Sequence, residues 1–263
     1  MARLDSELVA RGIARSRERA KEMISSGAVT VNGRTVKKPS YDVSDTDELV
    51  SSEEEIYVGR GALKLEQAAK VFKMDFTDAV CLDIGASTGG FTEYMLMHGA
   101  SKVFAVDVGH GQLAEKLCKD SRVVNMEGTD IRDVTADDLG GCVDVISIDV
   151  SFISLTKVLP KAAELLSEDG CAAVLIKPQF EAGRSDIGKN GIVKDKSVHL
   201  RVLTDIDLFA RSVGLNPVTY TYSPVKGGSG NIEYLVHLKK NVGSSPVSVK
   251  MFSSVVDDAF GKL

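Results

Sequence analysis

The chain has 263 residues, 43% of them hydrophobic and 26% charged, a composition typical of a globular protein with one or two domains and a substantial buried core. No uncharged apolar run reaches the roughly 18–20 residues that a membrane helix needs, and the first residues lack the apolar segment of a signal peptide, so we expect a cytoplasmic protein. The four cysteines are widely spaced and form no Cys-x-x-Cys pair, so we expect reduced thiols, with Cys81 and Cys171 in the core, and neither a disulfide framework nor a metal site.

The net charge of −5 hides an uneven distribution along the chain. Residues 1–40 contain nine Lys or Arg against four Asp or Glu, whereas residues 42–55 contain seven acidic residues and no basic one. A basic segment followed by an acidic one, ahead of a nearly neutral remainder, predicts a small N-terminal module that binds a polyanion.

Two short helices and a hairpin are predicted in this N-terminal module. Apolar residues at helical spacing begin at Leu4 and stop at Gly12, and a second helix is expected from an N-cap at Ser16 to about Ser26. The dipeptide Asn32-Gly33 lies between two β-prone runs, which is the strongest short-range signal for a hairpin.

Basic residues cluster on the second predicted helix. Arg15 and Arg19 are four residues apart, as are Arg17 and Lys21, so two rows of positive charge occupy neighbouring faces. Taken alone, such rows are typical of a solvated helix face.

The module as a whole resembles a known RNA-binding domain. The residues that carry the resemblance are Arg3-Leu4-Asp5, Ala14–Arg17, Ala20, Ile24 and Gly27–Gly33. Over residues 3–50 this pattern resembles the S-four-like (S4) RNA-binding domain of pseudouridine synthases and tyrosyl-tRNA synthetases. The resemblance implies that structured RNA is contacted, largely through its phosphates and shape, by Arg3, Arg15, Arg17 and Lys38.

From Phe76 onward, strand-like and helix-like segments alternate, which predicts an α/β fold. The predicted strands are Ala79–Asp83, Lys102–Asp107, Arg122–Asn125, Asp144–Asp149, Cys171–Lys177, Pro217–Tyr222 and Glu233–Lys239. The predicted helices cover about residues 91–98, 112–119, 155–167 and 197–213, and a further helix begins near Lys64. Near-continuous Val, Ile and Leu runs are typical of parallel strands covered on both faces, and ligands of such sheets bind beyond the carboxyl ends of the strands.

The segment Val80–Thr92 is the most informative stretch of this body. An apolar run ends in Asp83, a glycine-rich turn follows, and an amphipathic segment begins. The spacing Asp-x-Gly-x-x-x-Gly-Gly is not the dinucleotide fingerprint and lacks a phosphate-binding lysine. It resembles the first motif of S-adenosylmethionine-dependent methyltransferases, in which glycines admit the methionine part of the cofactor and the acid meets its ammonium group. The alternative is an ordinary strand–helix connection.

Three further acidic residues lie at or just past predicted strand ends. Asp107 suits the two hydroxyl groups of a ribose, since a carboxylate accepts both together, although a strand-end turn former is the alternative. Asp130 is a candidate acceptor for an adenine amine, with Ile131 against the ring, and an Asx turn is nearly as well supported. Asp149 leads out of a buried strand into the expected cleft.

Lys177 ends the next buried run and is followed by a proline, a position that solubility explains poorly. Taken singly, Asp149 and Lys177 each fit a structural salt bridge. Together they place a carboxylate and an amine on neighbouring strand ends. Lys64 and Glu233 complete a candidate set, although each alone would be read as an exposed charge.

Colinear motifs across nearly the whole chain now give a closer resemblance. They are Gly59–Leu65, Asp83–Thr92, Val106–Leu113, Asp149–Leu155 and Ile176–Glu181. They resemble the TlyA family, FtsJ-like ribosomal-RNA 2′-O-methyltransferases with an S-four-like domain in front. The resemblance implies a Rossmann-like class I fold, an α/β domain with a mostly parallel seven-stranded sheet, behind a small α+β RNA-binding domain. At the position after Asp107-Val108-Gly109 where the family has a tyrosine, this chain has His110. This difference puts a contact with the edge of a base in doubt.

The resemblance also implies the site residues. The catalytic Lys-Asp-Lys-Glu set falls on Lys64, Asp149, Lys177 and Glu233. The implied S-adenosyl-L-methionine site comprises Asp83, Gly85, Ala86, Ser87, Thr88, Gly89, Gly90, Phe91, Asp107, Val108, Asp130, Ile131 and Asp149, with no metal.

The chemistry of methyl transfer explains these residue types. A ribose hydroxyl is too weak an acid to ionise unaided, and a lysine takes its proton only when burial and a second ammonium depress the lysine pKa. We therefore expect Lys177 to steer or deprotonate the 2′-hydroxyl, with Lys64 as the neighbouring cation. Asp149 and Glu233 are expected to orient the two amines and balance their charge.

The predicted organisation is an RNA-binding domain over residues 1–55, a linker over 56–61 that is either a hinge or a plain connection, and a methyltransferase domain over 62–263. The expected partner of a monomer is ribosomal RNA or a ribosomal subunit. Two alternatives are a non-catalytic RNA-binding protein and a membrane-active hemolysin, a label that proteins of this family carry. The methylated nucleotide and the choice of subunit stay open.

Overall fold

A computed structural model describes residues 2–14, 17–52, 57–243 and 249–263, apart from the side chain of Val249. The chain divides into two compact units, Met1–Val58 and Gly59–Leu263. The division falls inside the segment 56–61 that the sequence indicates as a linker.

The helices are α1 Leu4–Ala10, α2 Arg17–Ser26, α3 Gly61–Phe72, α4 Gly90–Met97, α5 Glu115–Cys118, α6 Ala136–Leu139, α7 Leu159–Leu165, α8 Pro178–Glu181, α9 Lys196–Ser212 and α10 Val249–Lys262. The strands are β1 Ala2–Arg3, β2 Val29–Val31, β3 Arg34–Thr35, β4 Asp42–Val43, β5 Leu49–Ser51, β6 Val80–Ile84, β7 Lys102–Asp107, β8 Val123–Glu127, β9 Val143–Ile148, β10 Leu166–Ile176, β11 Asn216–Tyr222 and β12 Tyr234–Lys239. Among the described residues, no helix is both long and apolar enough to cross a membrane.

The first unit packs α1 and α2 against a small antiparallel sheet of order β3-β2-β5. Leu4, Leu8 and Ile24 are fully buried in its core. The predicted hairpin is confirmed, because β2 and β3 pair in antiparallel fashion across Asn32 and Gly33. Their φ angles of 50° and 76° lie in the left-handed region that a two-residue hairpin turn requires. Ser16, the predicted N-cap of α2, lies outside the described residues.

The second unit is built on a seven-stranded sheet of order β11-β12-β10-β9-β6-β7-β8. Neighbouring strands from β10 to β8 are parallel, and β12 runs antiparallel to both β10 and β11. The predicted α/β fold with a mostly parallel seven-stranded sheet is confirmed. The carboxyl ends of β6 to β10 therefore share one edge with the amino end of β12.

Two predicted helices are shorter than expected. The segment 112–119 is helical only over Glu115–Cys118. The segment 155–167 is broken into a 3₁₀ turn, Leu155–Lys157, and α7, and its last two residues already belong to β10. Ser154 accepts a hydrogen bond from the backbone N–H of Thr156, which caps the start of the 3₁₀ turn. Pro160, at the start of α7, has no backbone N–H with which to continue a helix from that turn.

The cysteines are all free thiols, but only one lies fully in the core. Cys81 is buried on β6, and burial raises the pKa of its thiol to about 12. Cys171 is half-buried, so the expectation that it is a core residue holds only in part, and Cys118 and Cys142 are exposed.

Candidate active site

Four charged side chains that are far apart in the sequence meet where the parallel strands end. Lys177 directly follows β10, and Asp149 directly follows β9. Glu233 directly precedes β12, and because β12 runs antiparallel to β10, its amino end lies at the same edge. Lys64 lies in the first turn of α3. The fold thus brings together all four residues of the predicted catalytic set.

These four residues, called the charge chain below, alternate in sign. Lys177 Nζ lies 2.5 Å from Asp149 Oδ1, and the other carboxylate oxygen, Oδ2, lies 3.5 Å from Lys64 Nζ. Lys64 Nζ donates a hydrogen bond of 2.7 Å to Glu233 Oε2. Asp149 therefore lies between two amines, and Glu233 holds the far end of the chain.

The charge chain is largely removed from water. Lys64, Lys177 and Glu233 are 9%, 8% and 2% exposed, and two cations balance two anions, so no buried charge is left uncompensated. Burial lowers the pKa of Lys64, but the carboxylates of Asp149 and Glu233 outweigh burial and raise that pKa above its ordinary value. The two carboxylates therefore favour the charged form of Lys64.

A cavity of about 400 Å³ opens beside the charge chain, a volume within the range of small-molecule sites. The predicted cofactor residues that line it are Gly85, Ser87, Asp107, Val108, Asp130, Ile131 and Asp149. In the described part of the chain, the other predicted cofactor residues lie outside this lining: Asp83, Ala86, Thr88, Gly89, Gly90 and Phe91.

Glycine is required at different positions of the Asp83–Thr92 segment for different physical reasons. Gly85 has a φ of 85°, and a Cβ there would lie 2.5 Å from the carbonyl oxygen of Asp149. The turn therefore lies directly against the end of β9. At Gly90 a Cβ would lie 2.9 Å from the backbone nitrogen of Ala62, so this glycine permits the close approach of α3 and α4.

Asp83 forms hydrogen bonds within the fold and does not line the cavity. It is fully buried, and its Oδ2 accepts hydrogen bonds from the backbone N–H and the hydroxyl of Thr92, at 2.9 and 2.7 Å. Its Oδ1 accepts a third from Ser147. Burial raises the pKa of Asp83 to about 6, against the opposing effect of these hydrogen bonds. The carboxylate thus anchors the start of α4 to the sheet.

Asp107 and Asp130 both line the cavity and also hold their own loops. Asp107 accepts hydrogen bonds from the backbone N–H groups of Ser87 and Gly109, at 2.8 and 2.7 Å. Asp130 accepts from both the backbone and the guanidinium of Arg132, and the guanidinium lowers the pKa of Asp130 to about 2. The alternative Asx turn is therefore present at Asp130, which caps the 3₁₀ turn after it.

Sequence reasoning missed two residues of the segment that follows β9. Ser151 lines the cavity and accepts a hydrogen bond of 2.8 Å from Lys177 Nζ. Phe152 also lines the cavity, is 91% exposed and has a φ of 63°. Its ring centroid is 5.0 Å from that of Phe180. The signal was present, since both residues directly follow the cleft acid, but neither is charged.

In the first unit, two of the predicted RNA-binding residues converge on one acid. Arg3 Nε lies 2.9 Å from Asp5 Oδ1, and Arg17 Nη2 lies 3.1 Å from Asp5 Oδ2. Asp5 is fully buried, and the two hydrogen bonds from Arg3, added to the one from Arg17, hold the pKa of Asp5 well below its usual range despite burial. Lys38 is exposed. Arg15 lies outside the described residues.

In the ranges that the structure describes, no group of three or more His, Cys, Asp or Glu side chains is arranged to hold a metal ion. His110 is exposed, and its ring stands over the backbone of Gly128, where a Cβ would lie 2.2 Å from it.

Two family models match the chain. An FtsJ-like methyltransferase model matches residues 57–240, and an S4 domain model matches residues 2–49. The chain is 45% identical over 240 residues to a 16S/23S rRNA (cytidine-2′-O)-methyltransferase, TlyA, of Mycobacterium tuberculosis, covering 90% of each chain. It is 32% identical to a 23S rRNA (cytidine-2′-O)-methyltransferase, also named TlyA, of Campylobacter jejuni, covering 86% of this chain and 95% of the relative.

A solved structure extends this relationship over the whole chain. A protein of Streptococcus thermophilus that is named as a hemolysin superposes with a TM-score of 0.81 at 42% identity, covering 99% of this chain and 96% of the other. Sequence motifs, fold and relatives agree. The chain belongs to the TlyA family, in which an S4 domain precedes an FtsJ-like methyltransferase domain.

Proposed function

We propose that this chain transfers the methyl group of S-adenosyl-L-methionine to ribose 2′-hydroxyl groups of ribosomal RNA. The observation that carries the proposal is the charge chain, in which two amines and two carboxylates converge beside a cavity of suitable size. Relatives whose names state this reaction on cytidines of ribosomal RNA support the choice of substrate.

The cavity lining fits the chemical parts of the proposed cofactor. Each oxygen of Asp107 accepts one backbone hydrogen bond and has a second lone pair left for a ribose hydroxyl. Ile131 and Val108 offer apolar contact for an adenine ring. When bound, the cofactor supplies a methyl group that an oxygen can attack in line, with the positively charged sulfur as the leaving group.

The protein's own contribution is to place and deprotonate the ribose oxygen. Lys177 first releases one proton to solvent, and its neutral Nζ then takes the 2′-hydroxyl proton, while Asp149 holds this amine in place and Lys64 supplies the second positive charge. Glu233 balances Lys64, which keeps the pair compatible with burial. Holding the reactants in line contributes most of the rate, since alignment alone can remove about 7–11 kcal/mol of a barrier.

Phe152 is the proposed contact for the target base. A nucleotide whose ribose reaches the charge chain must leave its stack, and unstacked bases of RNA are held by aromatic side chains. An aromatic ring that is 91% exposed at the cavity, in a left-handed backbone conformation, fits this role. Stacking on one such ring is worth about 1–3 kcal/mol per base.

The test of the proposed function is methyl transfer itself. Purified small and large ribosomal subunits that lack the modification are incubated separately with the protein and tritium-labelled S-adenosyl-L-methionine. We expect label in ribosomal RNA of at least one subunit, and ribose methylation at a discrete nucleotide when the RNA is mapped. Absence of transfer to both subunits would support a non-catalytic RNA-binding protein instead.

Separate assays on the two subunits also address substrate range. The relative from M. tuberculosis is named for both 16S and 23S rRNA, and the one from C. jejuni for 23S rRNA alone. Label in one RNA or in both assigns this chain to one of these patterns.

For the S4 domain we expect a salt-dependent change on removing predicted phosphate contacts. Arg17→Ala combined with Lys38→Ala should reduce the slope of log affinity against log salt by about 0.7–0.9 for each lost contact. Arg3 is kept so that buried Asp5 retains a partner. The measurement is subunit binding across a potassium chloride series.

The matched control is Arg122→Ala, which removes an exposed arginine of the second unit that pairs with Asp120. This variant should keep the wild-type slope. An unchanged slope in the Arg17→Ala, Lys38→Ala variant would remove both residues from the RNA contact.

The hemolysin reading makes a different prediction. The amphipathic and apolar segments that membrane insertion requires are not evident in the sequence. We therefore expect no release of dye from liposomes at micromolar protein, and leakage at that concentration would revive this reading.

A further inference from the structure

Lys177 has a second fixed partner besides Asp149. Its Nζ donates to the hydroxyl of Ser151 at 2.8 Å and lies 2.5 Å from Asp149 Oδ1. The hydrogen bond to Ser151 fixes the rotation of the amine about its Cε–Nζ bond. The neutral amine carries two N–H bonds and one lone pair in a tetrahedral arrangement. With one N–H directed at Ser151 and the Asp149 carboxylate attracting the other, the lone pair is left in the remaining position.

Ser151 stands where it can set that direction toward a substrate. Ser151 and Asp149 both line the cavity, whereas Lys177 is 8% exposed behind them. Asp149 Oδ1 lies close to the amine but, among the described residues, has no hydrogen-bond partner, so this ion pair alone would let the amine rotate about its Cε–Nζ bond. The hydrogen bond to Ser151 selects one rotational state, and the lone pair is left for the ribose hydroxyl.

The backbone around Ser151 is fixed independently of Lys177. Asp149 donates its backbone N–H to Ile84, and its carbonyl lies against Gly85, where a Cβ would come within 2.5 Å. On the other side, Ser154 and Leu155 are held by the carboxylate of Glu181, at 2.7 and 2.8 Å. The Ser151 hydroxyl is thus presented by a segment anchored at both ends.

From this geometry we propose that Ser151 is a positioning residue, whose hydroxyl fixes the Lys177 amine so that the lone pair of its neutral form faces the target 2′-hydroxyl. This inference rests on the proposed methyl transfer. It assigns to Ser151 a role in turnover, not in binding the cofactor or the RNA.

The kinetic test compares Ser151→Ala with Ser151→Thr, which keeps a hydroxyl. Loss of a hydrogen bond to a charged group predicts that Ser151→Ala lowers kcat about 10- to 100-fold, with KM for both substrates nearly unchanged. Ser151→Thr should recover most of kcat. A wild-type kcat in Ser151→Ala, or no recovery in Ser151→Thr, would overturn the proposal.

A second measurement needs neither cofactor nor RNA. In ¹⁵N-labelled protein, the Nζ protons of Lys177 should exchange with water about 10-fold faster in Ser151→Ala than in wild type, because one fixed acceptor is lost. The resonance is identified by its absence in Lys177→Arg. Equal exchange rates would show that the hydrogen bond does not hold the amine. If wild type transfers no methyl group, the proposed function fails, yet this exchange experiment still decides the Ser151 contact.

Discussion

Replacing Lys177 with alanine is expected to lower the rate of methyl transfer by about 100- to 10,000-fold, the range that a positioned acid–base group contributes. The reason is that Lys177 is the proposed base. Of the two amines in the charge chain, it is the one that donates a hydrogen bond to Ser151, which lines the cavity. Affinity for the cofactor should change little, because Lys177 is not among the residues that line the cavity. The measurements are single-turnover transfer to ribosomal subunits and calorimetric binding of S-adenosyl-L-methionine.

A second substitution at the same position separates two roles of the amine. Lys177→Arg keeps a positive charge but cannot give up its proton at neutral pH. If Lys177 removes the 2′-hydroxyl proton, this variant should be nearly as slow as Lys177→Ala. If the lysine only steers the ribose oxygen by its charge, Lys177→Arg should retain a substantial part of the rate.

The control for Lys177 is a lysine elsewhere in the same unit. Lys161 lies on α7, where it pairs with Glu164 at 2.9 Å, so Lys161→Ala should transfer methyl groups at the wild-type rate. Unchanged transfer by Lys177→Ala would remove this residue from the reaction and with it the proposed chemistry.

The sequence predicts the parts of this molecule that depend on local patterns. The hairpin at Asn32-Gly33 and the seven strands follow from turn chemistry and apolar runs, both of which act over a few residues. The separation of α7 from its preceding 3₁₀ turn was not predicted, because the helical spacing of apolar residues continues across it. Helix α10 was not predicted either; its buried residues, such as Phe252 and Val256, pack into a core whose composition only the fold defines.

The residues of the candidate site also divide into those that local patterns predict and those that depend on the fold. Asp149 and Lys177 could be predicted as neighbours because both follow buried parallel strands. The meeting of Lys64 with Glu233 could not be predicted from spacing, because it requires β12 to run against β10, and only the family resemblance indicated it. For Asp83, the motif predicts a ligand contact, whereas the hydrogen bonds with Thr92 and Ser147 that the structure shows could not be predicted from any local pattern.

The Lys64–Glu233 pair yields the second large prediction, which concerns stability and activity together. Glu233 is 2% exposed and Lys64 Nζ lies 2.7 Å from it. Removing one partner of a buried ion pair costs about 3–5 kcal/mol, because the remaining charge is left without compensation. We therefore expect Lys64→Met to unfold at lower urea concentration than wild type and to lose methyl transfer.

The two single substitutions should differ in severity. In Glu233→Gln, Lys64 keeps Asp149 at 3.5 Å as a partner, so the loss of stability should be smaller than in Lys64→Met. In Lys64→Met, Glu233 and Asp149 share only the charge of Lys177, and the chain of alternating charges is broken at its middle. Urea titrations followed by circular dichroism measure both.

The double variant separates stability from catalysis. Lys64→Met combined with Glu233→Leu removes both charges, and a buried ion pair replaced by apolar residues of similar volume is often neutral or stabilising. We expect its unfolding midpoint to return close to that of wild type while methyl transfer stays lost. Recovery of transfer along with stability would mean that the pair serves the fold alone. If the double variant is instead as unstable as Lys64→Met, folding requires the charges at these positions. The physical reason would be that Asp149 has lost Lys64, the second amine that holds it.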